Sequence, residues 1–225
     1  MAMGTIDSVR KHSSIGHMND RDYKDSVPGG YFHIYNRGNA RQDIFLDSAD
    51  YQFFLLRLVQ NIYPDRNKLP RRMHSLPVGA FSLIAYCLMP NHFHLLIGQN
   101  KEIPTSVLMM RICTSYSKYF NLKHKRVGHI FQDQFKQRNI GDNQYLKNLS
   151  AYIHNNPCKD GLVKNSAAYQ WSSCGEYFGE GNGEWCEKDI ILSQFPDRAG
   201  YSKFIEEYRS DKCATDDLSM VPIDR

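Results

Sequence analysis

The densest chemistry in the sequence is His92-Phe93-His94, two imidazoles separated by one apolar residue. On a β-strand, alternation sends His92 and His94 to one face and Phe93 to the other, so the pair supplies half of a divalent-metal site. A strand-edge histidine pair can also do no more than satisfy hydrogen bonds. This one, however, follows the apolar run AFSLIAYCLM at 80–89 and precedes a basic segment rich in tyrosine. That segment, TSYSKYFNLKHKR at 114–126, carries Tyr116 and Tyr119 three residues apart, on one face if helical, among Lys118, Lys123, Lys125 and Arg126. A phenol is a weak nucleophile at neutral pH. Near a metal ion and cations its oxyanion is stabilised and can attack phosphorus, leaving a covalent phosphotyrosine. Either ring can instead pack against a sheet with its hydroxyl at the rim.

Elements that would position these groups are legible in the pattern. GGYFHIYNRGNARQDIF at 29–45 reads as a strand followed by a turn at Gly38-Asn39. DSADYQFFLLRLVQNIY at 47–63 has Asp47 or Ser48 as a cap and an apolar period close to 3.6, which predicts a helix. Residues 64–78 hold three prolines and four basic side chains without a period, as a connection would. Residues 80–89 and 93–98 predict an antiparallel strand pair turning near Pro90 and Asn91, and the segment from Pro104 to about Lys125 predicts a helix. Residues 131–140 predict a fourth strand. NQYLKNLSAYIHNNPCKDGLV at 143–163 predicts an amphipathic helix that stops before Pro157. A short helix is expected at FIEEYRS, 204–210. The sum is an α+β fold, an antiparallel sheet with helices packed on one face, plus a C-terminal helical extension.

The chain has 225 residues and a net charge of +4, which by itself argues for no partner. Its distribution is more informative: residues 61–140 carry 12 basic and 3 acidic side chains, whereas the part from 176 onward carries 12 acidic and 6 basic. No apolar run approaches the roughly 20 residues that a membrane-spanning helix needs. The opening 28 residues lack the apolar stretch of a secretory signal and read as a polar, flexible leader. Six widely spaced cysteines without a CxxC pair fit thiols in a reducing compartment.

The segments FHIYNRGNARQDIF at 32–45, AYCLMPNHFHLLI at 85–97, LMMRICTSYSKYFNLKHKRVGHIFQDQFK at 108–136, YIHNNPCKDGLV from 152 and YQWSS at 169–173 together resemble the single-tyrosine HUH transposases of the IS200-like superfamily. Within that superfamily the chain is most similar to the REP-associated tyrosine transposases. The resemblance covers residues 29–178 as a catalytic domain and leaves 179–225 as an acidic extension. It implies a ferredoxin-like or RRM-like fold and metal-dependent cleavage and rejoining of single-stranded DNA beside a hairpin, through a 5′-phosphotyrosine intermediate. It further implies a divalent cofactor, Mg or Mn, a cytoplasmic protein associated with the nucleoid, and either a monomer or a homodimer.

Carried onto this sequence, the resemblance makes His92 and His94 metal ligands and favours Tyr116 as nucleophile over Tyr119. It also implies a third ligand about one turn beyond the tyrosine. The literal position after Tyr116 is Phe120, which cannot ligate, so Asn121 is the nearest candidate. His33 is a further candidate for a ligand or a phosphate contact. Asn36, Arg37, Asn39, Arg41 and Gln42 form a donor set suited to phosphates and base edges. Arg71, Arg72, Lys118, Lys123, Lys125, Arg126, Lys136 and Arg138 read as backbone contacts. Phe131 could stack on a base or belong to the core. Tyr152, His154, Asn155 and Asn156 read as helix termination and packing near the site. Two rival functions share these features: a relaxase-like or replication-initiator-like nickase, whose tyrosine usually precedes the histidines, and a hairpin-binding protein that no longer cleaves.

Overall fold

The structure is a computed structural model that describes residues 28–65, 75–180 and 184–214. Arg71, Arg72 and almost all of the predicted leader lie outside the described residues. The elements run β1 (Gly30–Arg37), α1 (Ser48–Ile62), β2 (Phe81–Met89), β3 (His92–Gln99), α2 (Thr105–Lys123), β4 (Lys136–Ile140), α3 (Asn143–Lys159), α4 (Cys174–Phe178), α5 (Asp189–Leu192) and α6 (Arg198–Ala214). Four antiparallel strands form one sheet in the order β2-β3-β1-β4. Among the described residues no helix is long and apolar enough to cross a membrane.

Every residue of β2 and β3 is buried, which requires cover on both faces of the sheet. On one face Phe54 of α1 and Phe131 of the chain after α2 meet Phe93, and Tyr116 of α2 packs against both. On the other face α3 lies over the strands and brings Tyr152 against His94. The outer edge of β2 is closed by the chain after α3: Leu88 N donates to Trp171 O at 2.9 Å and Ser173 N donates to Tyr86 O at 3.0 Å. That pairing leaves β2 no open edge at these positions.

Local chemistry accounts for most boundaries. Asp47 caps α1 by accepting from Asp50 N, and Asp142 caps α3 by accepting from Tyr145 N. The predicted fourth strand shortens to 136–140. Before it, Gln132 N bonds Arg37 O at 2.9 Å and Phe131 bridges Gly38, so this stretch crosses the end of β1. The expected stop before Pro157 is also corrected, because α3 runs on to Lys159 with Pro157 inside its last turn. Leu162 N and Asp160 N bond Pro157 O and Asn156 O at 2.8 and 3.0 Å, satisfying carbonyls at that end. The helix expected at 204–210 is part of the longer α6, whose Tyr201 and Ile205 are buried against the rest of the chain.

Candidate active site

The β1–β3 register aligns Arg37 with His92 and Tyr35 with His94, and the β1–β4 register aligns Tyr35 with Lys136 and His33 with Arg138. Directly opposed residues share a face. One face of the sheet therefore carries His33, Tyr35, Arg37, His92, His94, Lys136 and Arg138, and Phe93 turns to the other. His92 and His94 have ring centroids 5.1 Å apart and planes nearly perpendicular. Two metal–imidazole bonds of about 2 Å can close that span.

Each imidazole is held through its Nδ1. His92 Nδ1 meets Asn91 Oδ1 at 2.5 Å. His94 Nδ1 meets His33 Nε2 at 2.9 Å, and His94 Nε2 is buried with no hydrogen-bond partner. Burial, reinforced by His92 and His33 nearby, holds the pKa of His94 well below its ordinary value, so the ring stays neutral. Burial and Arg138 lower His33 to about 3. A neutral imidazole with a buried, unengaged nitrogen, as in His94, is suited to a divalent ion. Among the described residues, no group of three or more His, Cys, Asp and Glu side chains is arranged to hold a metal.

The tyrosine ring nearest to His94 is that of Tyr152 on α3, which stands edge-on 5.4 Å from His94 and 6.3 Å from His33. Tyr35 lies 6.2 Å from His94 and 4.9 Å from His33. Asn156, one turn beyond Tyr152, is buried and donates from Nδ2 to Tyr152 O at 3.0 Å. The role expected of Tyr116 does not fit this geometry. Its side chain is fully buried on the Phe93 face, where its hydroxyl donates to Ile44 O. Burial, reinforced by Asp50, pushes its pKa up rather than towards an oxyanion. Tyr119 stacks on Phe53 at 3.9 Å, in the same α1–α2 layer. Asn121 closes the turn after α2 by donating to Gly128 O at 2.9 Å, so it is not a partner for these histidines.

The expected DNA contacts divide in the same way. Arg37, Lys136 and Arg138 share the histidine face. Asn39, Arg41 and Gln42 are exposed beside it, in a turn fastened to the Pro90-Asn91 corner: Asn91 Nδ2 bonds Arg41 O at 3.3 Å, and Ile44 N bonds Pro90 O at 2.8 Å. Ala40 and Arg41 sit there at φ 51° and 60°, a left-handed conformation that is costly for residues with a Cβ. Arg126 reaches Gln42 Oε1 at 3.1 Å, so the 125–126 turn joins this rim. Three candidates are engaged elsewhere. His33 is buried behind His94. Asn36 faces the Phe93 side and bonds Asp133 O at 3.0 Å. Lys123 is engaged by Asp47 and Asp50 at 2.6 and 2.7 Å. Lys118 is exposed on α2, in the layer away from the histidines, and Phe131, half-buried, packs against the core edge-on to Phe93 at 6.0 Å.

Residues 77–156, which contain the histidine pair and Tyr152, match the family model described as "Transposase IS200 like". That match takes in about a third of the chain, and over this stretch the protein is similar to IS200-like transposases. No curated protein matches the chain. A solved structure described as a "REP associates tyrosine transposase bound to a REP hairpin" has the same fold, with a TM-score of 0.52 at 16% identity, covering 83% of this chain and 97% of that one. A protein of Deinococcus radiodurans R1 overlaps at a TM-score of 0.36 and 12% identity, covering 56% of this chain and 88% of that one. The sequence pattern pointed to Tyr152 and Asn156 only as packing near the site and did not single out Tyr35. The available signal was the Tyr-x-x-x-Asn spacing within YIHNNP, which puts a phenol and an amide on one helix face.

Proposed function

We propose that this protein is a transposase that cleaves and rejoins single-stranded DNA beside a REP-like hairpin, with Tyr152 as nucleophile and a divalent ion, Mg or Mn, held by His92 Nε2, His94 Nε2 and Asn156 Oδ1. The observation that carries this reading is the meeting of the histidine pair, Tyr152 and the cations of β1 and β4 on one face of the sheet. A bound ion would polarise the scissile phosphate and stabilise charge on its oxygens. Tyr152 Oη attacks phosphorus and the P–O3′ bond breaks. The tyrosine proton leaves as the departing 3′-oxygen takes one up, and the 5′-phosphate stays on the protein. One phosphodiester replaces another, so the 3′-OH can reverse the step without a nucleotide cofactor. Arg37, Lys136 and Arg138 would hold the strand's phosphates, and the exposed 39–42 turn would meet bases or phosphates at the rim.

The burial of His94 and Tyr152, at 0% and 5% exposure, favours a second reading, a protein that binds the hairpin without cutting it. A labelled hairpin oligonucleotide with a single-stranded flank, incubated with Mn2+ or with EDTA, separates the two. The transposase reading expects an SDS-stable adduct with Mn2+ that EDTA abolishes. It also expects the adduct to vanish in Tyr152→Phe and persist in Tyr116→Phe, Tyr119→Phe and Tyr35→Phe. Tight hairpin binding without any adduct would select the second reading.

A further inference from the structure

We infer that His33 is a positioning residue for the metal site: its Nε2 accepts the Nδ1 proton of His94 and so fixes the tautomer whose Nε2 lone pair faces the ion. The inference rests on the metal role proposed above for His94. His33 lies on β1, diagonal to His94 across the β1–β3 pairing, in which its own Cα partner is Leu96. The two rings are buried, within 14° of parallel, and joined by a 2.9 Å contact between His33 Nε2 and His94 Nδ1. One nitrogen of such a pair must donate and the other accept. If His33 donated, His94 would carry its proton on Nε2, the nitrogen that is buried with no hydrogen-bond partner. That arrangement strands an N–H in the interior and removes the lone pair a metal needs. If His94 donates, both difficulties disappear and Nε2 becomes a ligand aimed by its neighbour.

Metal-bound histidines are commonly oriented through their second nitrogen by a carboxylate, a carbonyl or water. A neutral imidazole in that place orients the ligand without adding negative charge. An ion bound there would keep its full pull on a phosphate. The position of His33 also explains why it serves neither as a DNA contact nor as a third ligand: its Nε2 is spent on His94.

The test reads the tautomer directly and then its consequence. In protein labelled with 15N-histidine and free of metal, ring-nitrogen NMR is expected to show His94 protonated at Nδ1 and bare at Nε2. A proton on Nε2 in the native protein would overturn the inference without any variant. Mn2+ binding is then followed by electron paramagnetic resonance. His33→Leu removes the acceptor, and its Mn2+ affinity is expected to fall about 10–100-fold. His33→Gln carries an amide oxygen near the same place and is expected to bind close to the native value. A folded His33→Leu protein with native affinity would overturn the inference while leaving the metal reading intact. Native protein that binds no Mn2+ would overturn both.

Discussion

Asn91 is the residue on which the site's geometry turns. Its Oδ1 holds His92 Nδ1, its Nδ2 reaches Arg41 O, and its own carbonyl accepts from Gly38 N at 2.8 Å. One corner thus fixes a proposed ligand and the left-handed turn beside it. Asn91→Ala is expected to weaken Mn2+ binding about 10-fold or more, as loss of a ligand's orienting partner does, measured by titration with the fold verified by circular dichroism. Gly38 is fixed for a steric reason, because a Cβ there would strike Gln42 O and Ile44 Cγ2. The histidine pair was legible in the sequence because strand alternation is a local rule that needs no tertiary information. The nucleophile was not: Tyr116, Tyr119 and Tyr152 all lie on predicted helices after the histidines, and the sequence does not say which helix covers which face. Tyr116 is nearer in sequence, but α2 packs on the Phe93 side.

At the scale of elements, α3 is held from behind by the C-terminal helix. Tyr201 on α6 bonds His154 Nδ1 at 2.8 Å and Ser150 Oγ at 3.0 Å, two residues to either side of Tyr152, and Asn155 Nδ2 donates to Ile205 O at 2.9 Å. His154 Nε2 completes the chain at Ser173 Oγ, 2.8 Å away. The acidic extension therefore clamps the helix that carries the proposed nucleophile, a role that its composition did not disclose. Tyr201→Phe leaves buried partners unsatisfied and is expected to cost about 1–3 kcal/mol, read from urea denaturation, with slower adduct formation. On the opposite layer, Asp50 joins α1 to α2 through Lys123 and through His124 at 3.0 Å. Burial raises the Asp50 pKa, but the bonds from Lys123, Leu46 N and His124 outweigh it and leave it below the usual carboxylate range. A carboxyl with a folded pKa below its unfolded one stabilises at neutral pH, and that stability is lost as pH falls through the carboxylate range. A plot of Tm against pH is expected to fall on the acid side, and Asp50→Asn is expected to lower the neutral plateau and flatten that fall. The helices and strands themselves were legible because their periods and caps are local. The tie between α3 and α6 was not, because it joins residues about 50 positions apart through buried polar atoms.

For the whole molecule, the excess of positive charge in residues 61–140 does not by itself place the proposed DNA track. Part of it is neutralised by Asp47 and Asp50, and part sits on α2 away from the histidines. Arg37, from outside that segment, joins Lys136 and Arg138 on the histidine face. Composition counts charges along the chain, whereas binding depends on the face that carries them. Lys136→Ala and Arg138→Ala are each expected to weaken hairpin binding and to lower the slope of log K against log[salt] by about 1. Lys118→Ala is expected to leave the slope unchanged. Fluorescence anisotropy across a salt series reads both. The central claim, that the reacting tyrosine belongs to α3, is tested most directly by trapping the DNA adduct, digesting it with protease and identifying the nucleotide-bearing peptide by mass spectrometry. A phosphodiester on Tyr152 is the predicted result; a nucleotide on Tyr116 or Tyr119 would contradict it.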